Sequence, residues 1–197
     1  MPFTDDLTVT NLPDVTIPDF STFTRPETAP WVEGWYKATI LPFYEFTNNE
    51  GNTTRFETTD EPALKTGRNI RIVAAVTRQL DGLTRNIRSK NLNYRPTDFT
   101  AARIAEIETA KQRNEGRQRW DDKDAHRTFI SFGALGELQN VAGTKFQQNG
   151  NGGLDLSPLF NKTGYVRLSF GDANEQGRKY LEIARFATEL PKTVRAL

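Results

Sequence analysis

With 197 residues, 36% hydrophobic and 26% charged, a formal net charge of +1, one histidine and no cysteine, the chain is long enough for one real core and excludes disulfides, thiolate nucleophiles and zinc–sulfur centres. Any imidazole chemistry rests on His126 alone, and its setting in DDKDAHRTF, at a predicted helix start, reads as a helix-face residue. No apolar run reaches the roughly 18 residues of a membrane span, and MPFTDDLTVT is acidic where a secretory leader is basic and then apolar, so a cytoplasmic chain without a membrane partner is expected.

Residues 1–33 form a Thr/Pro/Asp-rich acidic arm. Pro2, Pro13, Pro18, Pro26 and Pro30 prevent helix and discourage a central strand. Val9, Leu12, Val15, Ile17, Phe20 and Phe23 nevertheless recur through it, which a solvated linker would not need. An extended segment that packs on its own domain or joins the subunits of a homo-oligomer is expected. GWYKATILPFYEF (34–46) reads as a first strand with Tyr36, Ala38 and Ile40 on the inner face and Lys37 and Thr39 on the outer one. NNEGNTTRFETTDEPALKTG is polar and turn-rich, a mobile loop or hairpin with a short strand at TTRFETT.

Two strands follow, over 68–78 and 83–94, joined by the hairpin signal Asp81-Gly82. Ile70, Ile72, Ala74 and Val76 alternate as an inward face. After Pro96 the period changes: Thr97 or Asp98 caps a helix through FTAARIAEIETAKQRN, and DAHRTFISFGALGELQNVAG forms a second that ends at Gly143. QNGNGG (148–153) is a flexible loop. TGYVRLSF and KYLEIARFA, separated by GDANEQG, make a last hairpin, and 191–197 is a tail.

Strand, hairpin, helices, hairpin is a mainly β (α+β) order: a five-stranded OB-fold-like barrel over 34–190, with helices between strands 3 and 4. That scaffold often binds oligonucleotides on its strand 2 and 3 face, whereas an RRM needs a helix after its first strand and none is predicted. Nothing points to an enzyme, a cofactor or a metal. Asp121, Asp122 and Asp124 are interrupted by Lys123, lack EF-hand spacing, and suit a helix N-terminus. Glu106 and Glu108, two apart on a helix, face different ways.

Charge is unevenly spread. Residues 1–67 carry four cations against eleven acids, 68–119 twelve against five, and 120–197 ten against nine. Arg68, Arg71, Arg78, Arg85, Arg88, Lys90 and Arg95 crowd one predicted hairpin, a repulsion that calls for a compensating anion. A sequence-tolerant single-strand binder needs such a groove together with aromatic faces for bases. Tyr94 and Trp120 are the leading stacking candidates, Trp35 and Phe43 lie on the outward face of the first strand, and Lys37 is a further cation there.

Gly34-Trp35-Tyr36-Lys37-Ala38-Thr39-Ile40, Gly67-Arg68 at the hairpin, Leu154-Asp155-Leu156, Gly164-Tyr165-Val166-Arg167-Leu168 and Glu182-Ile183-Ala184-Arg185-Phe186 together resemble the small phage-encoded single-stranded-DNA-binding proteins of replication and recombination modules. The resemblance covers roughly residues 33–188 and is one of strand and turn pattern. It implies an OB-fold, non-catalytic binding of single-stranded DNA and, for a viral protein, the host cytoplasm. The sequence differs in its long arm, a larger helical insertion and an end, ELPKTVRAL, that is not an acidic tail. The alternative is a virion or assembly component whose acidic arm packs on the basic hairpin of a neighbouring subunit.

Overall fold

A computed structural model of the chain describes residues 30–63, 67–117 and 120–192. The chain divides into two units, Met1–Trp31 and Val32–Leu197. Nearly all of the expected arm and most of the tail lie outside the described residues, and the architecture is that of the second unit.

β1 (Gly34–Leu41) alternates as predicted, with Tyr36, Ala38 and Ile40 buried and Lys37 exposed. Pro42 ends it. The aromatic continuation becomes β2 (Phe43–Thr47), which pairs with β3 (Thr53–Glu57) as a separate two-stranded hairpin. Its turn is held by the Asn48 carboxamide oxygen, which accepts from Glu50 N and Asn52 N. β4 (Thr59–Pro62) falls where a mobile segment is expected and pairs with β5 (Arg68–Arg71).

Each of the two long predicted strands is broken. The first becomes β5 and β6 (Val73–Thr77), the second β7 (Thr84–Arg88) and β8 (Leu92–Tyr94). At the corner Ser89 Oγ accepts from Ile72 N at 2.9 Å and Thr58 Oγ1 accepts from Val73 N at 3.1 Å. Side-chain hydroxyls there replace ladder partners, and the ribbon passes from one sheet into another. β4-β5-β8 is the three-stranded sheet, and β10-β9-β1-β6-β7 the five-stranded one, with β9 at Thr163–Phe170 and β10 at Leu181–Ala187.

The five-stranded sheet is antiparallel and curls on itself. A register shift between Ile183 and Arg185 marks a bulge, which sharpens the local twist. Ser89 forms a parallel bridge to Ile183, and Lys90 N donates to Ile183 O at 3.1 Å. The result is a mainly β half-barrel with two helices, consistent with an OB-like α+β fold, closed over Tyr36, Ile70, Val76, Leu168 and Ile183.

The helices do not lie between a third and a fourth strand. α1 (Ala101–Arg113) and α2 (Lys123–Ala142) follow the eighth strand and precede the ninth, because the 42–62 segment contributes three strands and the two long strands each split. The cap of α1 also moves, from Thr97 or Asp98 to Thr100, whose Oγ1 accepts from Arg103 N. Pro96–Phe99 forms a 3-10 turn that carries Asp98 inward. α2 starts on the Asp122 carboxylate and ends at Gly143 with φ +73°. Ile107, Trp120 and Ala125 form the joint between the helices. Glu137 of α2 accepts from Phe186 N at 2.9 Å and from the Arg185 guanidinium at 2.6 Å, which covers the edge of β10.

Asp60, on β4, has a side chain only 1% exposed and pairs with the buried Arg68 at 2.9 Å. Asp60→Asn leaves that guanidinium buried without a counter-charge and should cost about 3–5 kcal/mol, read as a lowered urea midpoint. Arg71→Ala, which removes an exposed pair with Glu61 at 3.4 Å, should cost under about 1 kcal/mol.

Candidate functional site

The residues of the predicted cationic ribbon separate into two sets. Arg68 turns into the unit: its Nε donates to Asp60 Oδ1 at 2.9 Å, and its Nη atoms donate to the carbonyls of Asp60 and Asn151. Tyr94 donates to the other Asp60 oxygen at 2.5 Å. Burial first, and then this hydrogen bond, push the Tyr94 hydroxyl well above the ordinary phenol range. Arg78 is buried against Asp81 of its own hairpin turn, Nε to Oδ1 at 2.9 Å. Arg95 binds Asp98 and Asp124, tying the 3-10 turn to α2, and Arg103 joins the same cluster. Trp120 is buried and stacked on Phe129 at 5.0 Å and on His126 at 5.1 Å. These side chains face intramolecular partners rather than a common surface.

The second set points outward. Lys37 sits between Thr77 of β6 and Tyr165 of β9 on the outer face of the sheet. Arg71 is half-exposed and faces Glu61. Arg88 and Lys90 are exposed on and beside β7, and Arg85, also exposed, lies by register on the other face, with Val76 and Ile87. Among the described residues Lys37, Arg88 and Lys90 make no ion pair, and neither does Arg167, which lies across from the buried Trp35. Hydroxyl pairs, Thr39 with Thr163 at 3.2 Å and Thr77 with Thr84 at 3.0 Å, line the face between these cations.

Arg88 does have a partner of another kind. Its guanidinium carbon stands 4.5 Å from the centre of the Phe56 ring, and Phe56 packs against Tyr44 with centroids 5.0 Å apart. By register, Phe46 lies on the same face of this β2–β3 hairpin, 56% exposed. On the opposite face Arg55 covers Phe43 at 3.7 Å. Partial burial raises the Tyr44 hydroxyl above its ordinary range, and the Arg88 charge opposes that. Across the sheet, the β9–β10 connection exposes Tyr180 beside Arg178 and Lys179. Sequence reasoning placed Phe43 on the outer face but merged FYEF into the first strand. The available signal was a run of three aromatics after Pro42, too long to be the end of a strand that Pro42 stops.

Comparison with known proteins finds no family model and no curated protein that matches this chain.

The acidic trio is absorbed locally: Asp121 pairs with Arg117, Asp122 caps α2, and Asp124 holds Arg95 and Arg103. Hydrogen bonding from Arg95 holds Asp124, and from Arg78 holds Asp81, below the ordinary aspartate range. A depressed folded-state pKa means that the stabilisation is complete above the unfolded value, about 4, and is lost as pH falls through the lower folded value. The urea midpoint should therefore decline on its acid limb below about pH 4, and Arg95→Gln should shallow that decline; an unchanged limb would remove Asp124 as a contributor.

Proposed function

We propose that the chain binds single-stranded DNA without catalysis, in the replication or recombination of a phage genome, through an OB-like barrel whose outer β6–β7 face carries the strand. The observation that carries this reading is the seat of Arg88 on Phe56. It joins an exposed aromatic hairpin face to a cationic strand, so that π-faces and phosphate partners lie on one continuous surface. Unpaired bases stack on aromatic rings at about 1–3 kcal/mol each, whatever their sequence. Phe46 offers such a face beside Phe56 and Tyr44, with Tyr180 on the far side, while Lys37, Arg88, Lys90 and Arg167 offer charge.

The barrel itself supports the reading. With β5–β6 and β7–β8 taken as two bent strands, the curled sheet runs from the first strand to both neighbours, and a single parallel bridge, Ser89 to Ile183, links its two ends, which supports an OB-like reading. The resemblance in strand and turn pattern agrees with it.

Affinity for a labelled oligothymidine should fall steeply as salt rises, because each phosphate contact on a single strand releases about 0.7 counterion. Arg88→Ala with Lys90→Ala should flatten the log–log slope by about 1.4. Phe46→Ala should cost about 1–3 kcal/mol of binding with the slope nearly intact. Equal competition by duplex of the same phosphate count, with no effect of Phe46→Ala, would favour an assembly protein whose basic face takes an acidic segment of a neighbour.

A further inference from the structure

A groove of about 480 Å3 opens between α2, the 3-10 turn at Pro96–Phe99 and the 146–154 loop. We propose that it is a site for one unpaired nucleobase, separate from the β6–β7 face; where the base belongs to a bound strand, this rests on the function proposed above. The volume falls in the range of small-ligand sites, roughly 300–1,000 Å3.

Three observations select the ligand. The groove has an aromatic wall, Tyr94 against Phe99 at 5.3 Å and Phe99 against Phe132 at 5.7 Å with planes 24° apart, on which a planar ring stacks. None of its lining residues is charged, so the occupant is neutral there. Two carboxamides nonetheless border it. Gln139 makes no side-chain hydrogen bond among the described residues, and Gln148 spends one N–H on Gly152 O at 3.3 Å and keeps its oxygen. A carboxamide presents a donor and an acceptor side by side, the pattern of a base edge, whereas a hydrocarbon occupant would desolvate both amides for no return.

The walls are fixed before any ligand arrives. Tyr94 and Leu154 both donate to the buried Asp60 carboxylate, and Ser131 Oγ donates to Asn93 O at 2.6 Å, which pins α2 beside β8. Room is left deliberately at Gly136, where an added Cβ would meet nothing within 4 Å. Lys145, next to Phe146 in the chain, is exposed and makes no ion pair among the described residues.

The experiment is methyl NMR on the full chain, following Leu135 and Leu154, with adenosine, thymidine, oligothymidine and a phenylalanine-containing neutral peptide as probes. Saturable shifts with a nucleoside or with the oligonucleotide support the site. Shifts with the oligonucleotide alone assign the base to a bound strand, and shifts with nucleosides alone assign a free nucleoside and set the strand-binding function aside. Gly136→Phe fills the groove from a helical position with open space, so it should abolish these shifts, lower oligonucleotide affinity about ten-fold and leave the urea midpoint no lower. Gln139→Ala should change the order of preference among bases. Groove methyls that stay silent while the oligonucleotide binds overturn this site and leave the function standing. Silence with no oligonucleotide binding overturns both, and a response to the peptide alone makes the groove a peptide site instead.

Discussion

The carboxylate of Asp60 receives hydrogen bonds from Arg68, Tyr94 and Leu154 N, groups that the chain separates widely and that belong to β5, β8 and the loop after α2. Through them one buried side chain sets β4 on β5, fixes the end of β8 and closes the 146–154 loop against the sheet. Desolvating an ion pair costs so much that its net contribution to stability is small. What the pair does in this fold is hold β4 against β5, with the Arg68 guanidinium bound to both the side chain and the carbonyl of Asp60. A Gly at position 153 is part of the same arrangement, since any Cβ there would run into the Arg68 guanidinium.

That interaction also explains the charge distribution. Seven cations in one ribbon repel, and the fold answers with acids from outside the ribbon and from its own turns: Asp60 for Arg68, Asp81 for Arg78, Asp98 and Asp124 for Arg95. Glu61 faces Arg71. Positive charge is thereby withdrawn from the β5–β8 side and left on the β6–β7 side, where Arg88 rests on an aromatic ring instead of a carboxylate. A guanidinium on a ring keeps its donors for another partner.

The helices meet the sheets through α2, at β8 and β10. α1 packs on α2 around Trp120, and α2 carries Glu137 to the edge of β10 and Ser131 to the carbonyl before Tyr94. An open edge strand invites pairing with other chains, and a carboxylate that accepts the Phe186 N–H blunts it without adding a strand.

Local features were legible in the sequence because they depend on neighbours in the chain. The alternation of β1, the Asp81-Gly82 turn, the Gly143 stop of α2 and the final hairpin all follow from side-chain period and backbone preference. The same rules placed Arg71 and Arg88 outward. They could not separate Arg68 and Tyr94 from Arg88 and Lys90, since period assigns a side of a strand but not what covers it. The bend at Ile72 and Ser89 moves half of the ribbon into another sheet, and the partners that bury Arg68 and Tyr94 come from β4 and from a loop more than fifty residues further on. Aromatic identity was equally silent: Trp120 and Phe46 look alike as stacking platforms until α2 closes over the first and the short β2–β3 hairpin leaves the second in solvent. Elements came from local chemistry; which charges and rings face outward was decided by contacts far apart in the chain.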